Sequence, residues 1–240
     1  LVELQNMKIA IICSYDFSIA WSLEVFVKKL LLKNQVTVIC DIHEDTDYGY
    51  YRDQMVSWGV KHKLVKASRF ISPLDDLKYL IHLITALKGE DFDLVINIAT
   101  KPNVYGSIAA KAVGVKNIVC SGWGLGLVFA ETKEIKKLLL RLILNVLYKF
   151  AFYFSRKVWF TNESDLDYFI SRKIINKEKA VLTPGWINTE LFSQDSISEN
   201  TMASLKAEKG FQDQDEIVIM VARMSWNLSL IHISRCRRAI

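Results

Sequence analysis

A short polar stretch, Thr100-Lys101-Pro102-Asn103, contains residue types that could hold an anion. It stands between an apolar, β-branched run and a segment of small residues with helical spacing, which predict a strand followed by a helix. Pro102 suits the first turn of that helix, where free amide groups and the Lys101 ammonium would suit a phosphate or a carboxylate. A solvated turn without a ligand is the alternative.

Alternating glycines follow a later strand-like run. Gly122, Gly124 and Gly126 lie in the segment GWGLG, where missing side chains would let the backbone approach an anionic or sugar ligand closely. The spacing G-x-G-x-G differs from the dinucleotide pattern G-x-G-x-x-G, and it comes late in the chain. A tight turn without a ligand explains these glycines equally well.

Polar residues also follow another strand-like run, in the segment FTNESD. Asn162, Glu163 and Ser164 would then lie at the carboxyl end of a strand, where a ligand could meet them. Asn and Ser are also preferred at helix N-caps, and a helix through Phe169 is predicted directly after them. N-capping by Asn162 or Ser164 is therefore the alternative to a binding role.

Several common reaction centres are missing from the sequence. The four histidines lack the spacing of metal ligands, and none of the four cysteines forms a C-x-x-C pair. No G-x-S-x-G, H-E-x-x-H or P-loop lysine motif occurs. Cysteines within apolar runs are typical of buried thiols in a reducing compartment, so we expect neither a metal site nor disulfides.

Strand-like and helix-like patterns alternate along most of the chain. The run MKIAIIC, the loop SYDFS, the helical segment IAWSLEVFVKKLLLK and the run QVTVIC predict a β–loop–α–β unit. The same alternation continues for most of the remaining length. It predicts an α/β fold, a doubly wound parallel sheet, in which ligands bind at the carboxyl ends of the strands.

The positive charge of the chain is local. The net charge is +5, but residues 131–157 hold seven basic and two acidic side chains. Residues 228–240 add three arginines and no acid, so the remainder is net acidic. A chain that binds nucleic acid would carry a broader basic field, so no nucleic-acid partner is expected.

A long apolar segment over residues 136–154 carries polar residues four apart, at Lys137, Arg141, Asn145 and Lys149. One interpretation is a helix that packs on the sheet and leaves this narrow stripe in solvent. The other is a basic amphipathic surface that touches an anionic membrane. The first is expected, because apolar faces of this width need burial.

The chain changes character after Phe192. Residues 193–214 are polar and predict a linker or a short exposed helix, and residues 215–227 include EIVIMVAR, which predicts the first strand of a second lobe. Residues 228–240 continue no pattern, so we expect a non-native tail there. The expected domains are thus one lobe over residues 7–192 and a second lobe that is truncated.

Five segments in this order resemble the retaining glycosyltransferases of family 4, which have the GT-B fold. They are TKPNVYGSIAAKAVGV, GWGLGLVF, VWFTNESDLDYFI, VLTPGWINTELF and IVIMVARMSW. The resemblance is to bacterial enzymes that build surface polysaccharide or lipid-linked oligosaccharide, in which the motifs K-P-N-x-Y-G, G-L-G-x-x-F and F-x-N-x-x-D follow one another. It covers Met7 to Trp226, and it implies a Rossmann-like N-terminal lobe plus the start of a second.

The resemblance implies a hexosyltransferase that moves a sugar, with retention, from a nucleotide sugar to a saccharide on a lipid diphosphate. The donor is often a UDP-sugar, and the first lobe mainly binds the acceptor. Catalysis then rests on positioning and on electrostatic support of the departing diphosphate, and no cofactor or metal is expected. These partners imply a cytoplasmic enzyme. Peripheral contact with the inner face of the plasma membrane through the basic helix at residues 136–154 stays a further hypothesis.

The resemblance also assigns residues to the cleft between the lobes. Arg223 would contact the donor diphosphate, where a guanidinium fork suits phosphate. No catalytic residue is assigned. The implied acceptor and cleft residues are Ser14, Tyr15, Asp16, Phe17, Thr100, Lys101, Asn103, Gly124, Leu125, Gly126, Asn162 and Glu163.

Departures from the family pattern leave alternatives open. Trp186 and Asn188 stand where glycine and aspartate are common, and the lysine and glutamates expected after Arg223 are absent. We therefore expect the chain by itself to be inactive. The alternatives are a non-catalytic module that binds a glycan or nucleotide, and a nucleotide-sugar epimerase of the same fold. The epimerase would need histidines at strand ends, where none is predicted.

Overall fold

A computed structural model of the chain describes residues 5–43, 49–68, 72–123, 129, 134–183, 193, 197–212 and 214–216. The chain divides into two compact units, Leu1–Gly185 and Trp186–Ile240. In the second unit, the described residues form one helix, α8 (Glu199–Lys209), in which no residue is buried. An exposed helix was one of two alternatives predicted there. Most of the predicted strand EIVIMVAR lies outside the described residues, and the domain boundaries stay predictions.

The first unit is built on a parallel sheet of seven strands in the order β3-β2-β1-β4-β5-β6-β7. The strands are β1 (Lys8–Tyr15), β2 (Gln35–Asp41), β3 (Lys61–Leu64), β4 (Leu94–Asn97), β5 (Asn117–Gly122), β6 (Lys157–Phe160) and β7 (Ala180–Leu182). Every neighbouring pair is parallel, so the carboxyl ends of all seven strands lie at one edge. The predicted doubly wound α/β fold is confirmed.

Helices connect the strands. They are α1 (Phe17–Ser22), α2 (Glu24–Leu31), α3 (Tyr50–Ser57), α4 (Pro73–Leu87), α5 (Ser107–Ala112), α6 (Ile135–Phe154) and α7 (Glu163–Ser171). A π-helix (Pro102–Gly106) leads directly into α5, and a short 3-10 helix (Lys177–Lys179) precedes β7. The sequence predicted all of the longer helices except α3, whose polar segment YYRDQMVS buries only Met55 and therefore shows little apolar periodicity.

One predicted helix is divided. The segment IAWSLEVFVKKLLLK forms α1 and α2, which meet at Leu23, where φ is −127° and ψ is 6°. The turn at Leu23 buries that side chain completely and leaves Trp21 77% and Leu32 81% exposed. A continuous helix through this segment was therefore wrong, because burial of Leu23 fixes the direction of the chain and takes Trp21 away from the core.

Both faces of the central strands are covered. In β1 and β2 the inner residues are all buried, as expected for parallel strands with helices on both sides of the sheet. One apolar cluster joins β1 and β4 to α4 and α5, and another joins β5 and β6 to α6 and α7. The three described cysteines, Cys13, Cys40 and Cys120, are buried free thiols, which confirms the prediction for them.

Candidate functional site

The loops chosen from the sequence lie at the carboxyl edge of the sheet. Strand order reverses between β1 and β4, because β2 and β3 lie on one side of β1 while β4 to β7 lie on the other. Doubly wound sheets bind ligands in the crevice at such a switch point. The predicted residues after β1 and β4 border this switch, and those after β5 and β6 lie farther along the same edge.

Asp16 joins the ends of β1 and β2. Ser14 and Tyr15 are the last residues of β1, and the completely buried Asp16 caps α1. Its Oδ1 accepts hydrogen bonds of 2.9 Å from the backbone nitrogens of Phe17 and His43. Its Oδ2 has no partner among the described residues. The carboxylate thus holds the first loop against the end of β2.

His43 was missed by the sequence analysis. It follows the end of β2 by two residues, and its ring lies 4.7 Å from that of Phe17 and 5.6 Å from that of Tyr15 between centroids. The expectation that no histidine lies at a strand end is therefore wrong. The run QVTVIC predicted the strand, but its last residue and the path after it depend on the bonds to Asp16.

The backbone between β4 and the π-helix is strained. Ala99 is a non-glycine residue with φ of +83°, in the left-handed region that side chains disfavour. The amide of Asn103 donates to the carbonyl of Ala99 at 2.9 Å, which closes the turn at the start of the helix. Strained residues and π-helical turns both occur often at functional sites.

Replacing Ala99 by glycine is expected to raise the free energy of unfolding by roughly 0.5–1 kcal/mol. Glycine has no Cβ, so the steric cost of the left-handed backbone disappears. The free energy gained in this way exceeds the cost of the additional conformational entropy that glycine gives to the unfolded chain. Chemical denaturation would measure it. Ala112→Gly is the matched control, since this exposed residue at the end of α5 has ordinary helical geometry and should lose stability, by less than about 1 kcal/mol, on the same change. A loss of stability in Ala99→Gly would contradict the strain.

Lys101 forms a largely buried ion pair with Asp76 of α4. The Lys101 Nζ lies 2.5 Å from Asp76 Oδ1, and the two side chains are only 16% and 7% exposed. Tyr105 lies near Asp76, and burial, together with the charge of Asp76, raises the pKa of Tyr105 to about 12, so its hydroxyl stays protonated. The predicted anion-binding lysine is therefore held in place by the carboxylate of Asp76.

Asn103 serves the fold directly. Its side chain is 1% exposed; its Nδ2 donates to the Ser121 carbonyl at 2.6 Å, and its Oδ1 accepts from the Ser121 amide at 3.1 Å. These bonds join the helix after β4 to the end of β5. We assign Asn103 a positioning role, because both ends of its amide are used by the β5 backbone.

Thr100 is linked to α6. The Tyr148 hydroxyl donates to Thr100 Oγ1 at 2.8 Å, and burial raises the pKa of Tyr148 to about 12. Close packing explains the glycine of the K-P-N-x-Y-G motif, because a Cβ on Gly106 would overlap the carboxamide of Asn97. The whole loop is thus fixed by neighbours on β4, β5, α4 and α6.

Of the site residues predicted after β5 and β6, some lie in the described part of the structure and others do not. A Cβ on Gly122 would overlap the ring of Phe160, so this glycine allows β5 and β6 to approach. Gly124, Leu125, Gly126 and Arg223 lie outside the described residues. Asn162 caps α7 through a 2.8 Å bond from the Asp165 amide, which confirms the capping alternative, and Glu163 is exposed in the first turn.

The residues missed by the sequence analysis are Asp76, Tyr105, Tyr148 and His43. In the sequence, Asp76 resembles an ordinary acidic residue in the first turn of a helix, where the helix dipole favours it. Tyr148 lies in a segment so rich in Leu and Phe that it resembles a core residue. Only the tertiary contacts identify these side chains as supports of Thr100 and Lys101. Among the described residues, no group of three or more His, Cys, Asp or Glu could hold a metal ion.

The helix α6 exposes an apolar face. Only Leu144, Tyr148, Ala151 and Phe152 are buried in its 20 residues. The exposed large apolar side chains are Ile135, Leu138, Leu139, Leu142, Ile143, Val146, Phe150 and Tyr153. The expectation that α6 leaves only a polar stripe in solvent is therefore wrong. The helix is apolar around most of its circumference, and the layer beneath it covers one side.

The helix is also basic. It contains four basic residues and no acidic one, and Lys136 and Lys149 are exposed. Of the predicted polar stripe, Asn145 is half-buried and exchanges hydrogen bonds of 3.1 and 3.2 Å with the Tyr168 hydroxyl. None of the helices in the described ranges has the length and apolarity needed to cross a bilayer.

Comparison with known proteins identifies a family. A family model described as "Glycosyl transferase 4-like" matches residues 8–162, which is more than half of the chain. A curated relative from Campylobacter jejuni, N,N'-diacetylbacillosaminyl-diphospho-undecaprenol alpha-1,3-N-acetylgalactosaminyltransferase, is 27% identical over 178 residues. The match covers 74% of this chain and 47% of the relative, so the chain spans about half the relative's length.

Solved structures show the same fold. A glycosyltransferase from Rickettsia africae matches with a TM-score of 0.66 at 14% identity, covering 97% of this chain and 58% of that one. A UDP-GlcNAc 2-epimerase from Neisseria meningitidis matches with a TM-score of 0.55 at 15% identity, covering 98% and 64%. At such identities the likeness shows the fold alone, which is the Rossmann-like lobe of GT-B proteins. With the family model matching most of the first unit, the chain belongs to the Glycosyl transferase 4-like family.

Proposed function

We propose that this chain is the acceptor-binding part of a hexosyltransferase that moves a sugar, with retention, from a UDP-sugar to a saccharide on a lipid diphosphate. The observation that carries this proposal is the identity of 27% over 178 residues to a transferase whose name specifies a diphospho-undecaprenol-linked saccharide. The carboxyl edge of the sheet offers a suitable site, since Lys101 is fixed there by Asp76 and the loop around it is held from four elements.

In this proposal, the ammonium of Lys101 contacts the acceptor diphosphate, and the loop from Ser14 to Phe17 borders the acceptor saccharide. Arg223 contacts the donor diphosphate, and no metal or other cofactor takes part. Positioning of the two substrates and electrostatic support of the departing diphosphate then supply the rate enhancement. We expect the 240-residue chain to bind acceptor without transferring sugar by itself.

The test is an assay of the full-length protein that contains this chain. Incubation with a panel of UDP-sugars and a diacetylbacillosamine-diphospho-undecaprenol acceptor should yield one lipid-linked disaccharide, detected by mass spectrometry. NMR of the product should show that the anomeric configuration of the donor is kept. An inverted linkage would contradict the proposed retention. Failure to form a product with any donor would contradict transfer to this class of acceptor.

A nucleotide-sugar epimerase is the second candidate. It is favoured by the placement of His43 just after β2, where its backbone amide bonds to Asp16 and its ring packs against Phe17 at the carboxyl edge of the sheet, since epimerisation needs acid and base groups at one edge of the site. The discriminating measurement is incubation with UDP-GlcNAc and no acceptor. Conversion to an epimer would support this candidate, whereas conversion only in the presence of acceptor would support the transferase.

We also propose that the protein lies at the inner face of the plasma membrane, in contact with it through α6. The exposed apolar face is larger than scattered surface residues would give, and such faces usually mark an interaction site. Lys137 pairs with Glu134 at the start of the helix, and the exposed Lys136 and Lys149 complement anionic lipid. The buried free thiols fit the reducing cytoplasmic side.

A further inference from the structure

A cavity of about 370 Å³ lies between α4 and the carboxyl end of β2. This volume is within the range of small-molecule sites, roughly 300–1,000 Å³. One face of α4 supplies Asp75, Lys78, Tyr79 and His82, which are spaced three, four and seven residues from the first. The opposite wall contains Asp41, the last residue of β2.

Tyr79 lines this cavity, and its buried hydroxyl lacks a hydrogen-bond partner among the described residues. The residue is 2% exposed, and no described residue accepts from or donates to its oxygen. Burial raises the pKa of Tyr79, and the nearby side chains of Cys13, Cys40, Asp41 and Asp76 act in the same direction, so the hydroxyl stays protonated and can donate. Buried hydroxyls are nearly always hydrogen-bonded in proteins, so this unpaired one, on a residue that lines a cavity, is a donor available to a ligand oxygen.

The walls of the cavity suit a neutral ligand rich in hydroxyl groups. Lys66 and Lys78 are balanced by Asp41 and Asp75, so the lining has no strong excess of either charge. Asp41 is already used for structure, since its Oδ1 accepts from the Ile42 amide and its Oδ2 from the Ala67 amide. Carboxylate oxygens still have lone pairs after one bond each, and the phenol offers a donor.

We propose that this cavity binds a sugar ring of the acceptor, with the Tyr79 hydroxyl donating to one of its oxygens. The inference rests on the proposed function. The same turn of α4 that gives Asp75 to the cavity gives Asp76 to the ion pair with Lys101. A saccharide in the cavity and a diphosphate at Lys101 would therefore both lie against the first turn of α4, as the two parts of one lipid-linked sugar.

Tyr79→Phe in the full-length protein tests the inference with the removal of a single oxygen. We expect the affinity for the methyl glycosides of N-acetylglucosamine, galactose or glucose, measured by saturation-transfer NMR, to fall roughly five- to tenfold for the glycoside that binds. The melting temperature should stay the same or rise, because a buried hydroxyl without a partner favours unfolding.

Tyr168→Phe is the matched control. Its hydroxyl bonds to Asn145 on α6, so this change should lower the melting temperature and leave sugar binding unchanged. Unaltered glycoside binding in Tyr79→Phe, or no binding of any glycoside to the wild type, would overturn the inference. If Tyr79→Phe still transfers sugar with an unaltered acceptor KM, the inference that the cavity binds the acceptor sugar would be contradicted, and the proposed function would stand. If glycosides bind and this binding needs Tyr79, but no sugar is transferred to any acceptor, the sugar site in the cavity would be supported and the proposed function would be contradicted.

Discussion

Replacing Leu142 and Val146 together by glutamate is expected to weaken binding to vesicles that contain anionic phosphatidylglycerol at least about tenfold. Both side chains project from the exposed apolar face of α6, at 61% and 62% exposure. Full burial of such a side chain is worth roughly 1.5–3 kcal/mol, and a factor of ten needs only about 1.4 kcal/mol. Partial immersion of two residues therefore suffices, and the new carboxylates are also repelled by the anionic surface.

The matched control is the pair Trp21→Glu and Leu32→Glu, which places the same charges on exposed apolar residues away from α6. This variant should bind vesicles as the wild type does, and neither pair should alter the melting temperature by more than a few degrees. Co-sedimentation at low and high salt separates the two contributions. The electrostatic contribution of Lys136 and Lys149 to vesicle binding should decrease as the salt concentration rises, and the contribution of the apolar face should remain. Equal binding by both glutamate pairs would contradict the α6 contact.

The sheet could be predicted from the sequence because its signals are local. The runs MKIAIIC and QVTVIC are largely apolar, as expected of strands covered on both faces, and they form most of β1 and β2. The helix α6 was also predicted, but its orientation was not. A segment that is apolar around most of its circumference does not indicate which side the neighbouring strands will cover. The polar residues of this helix suggested a stripe exposed to solvent, which is wrong for the same reason. Asn145 turns inward and hydrogen-bonds to Tyr168.

The site was predicted in part. Loops at the carboxyl ends of strands could be found because a parallel sheet collects those ends at one edge. The role of each side chain depended on partners distant in the chain. Asn103 resembles a ligand-binding amide in its loop, yet its bonds go to Ser121, and Lys101 meets a carboxylate 25 residues earlier. No local pattern encodes such pairings, because they form only when β4, β5 and α4 are packed.

Lys101→Met is expected to cost about 3–5 kcal/mol of folding free energy, because it leaves the carboxylate of Asp76 buried without its cation. The double variant Lys101→Met, Asp76→Asn should recover most of this loss, since asparagine is neutral and leaves no unpaired charge at the buried site. Urea denaturation of the wild type, the single variants Lys101→Met and Asp76→Asn, and the double variant measures both effects as a double-mutant cycle. A single variant as stable as the wild type would show that the pair is solvated rather than buried.

The same cycle separates support of the fold from contact with substrate. If Lys101 binds the acceptor diphosphate, the double variant should fold well and still show an acceptor KM raised at least about tenfold, as expected for loss of a charge-assisted bond of about 1.5–3 kcal/mol. The KM for the UDP-sugar should change little, because Lys101 is assigned to the acceptor. Recovery of the acceptor KM together with stability would mean that Lys101 serves only to neutralise Asp76, and the diphosphate would then need another cation at this edge of the sheet.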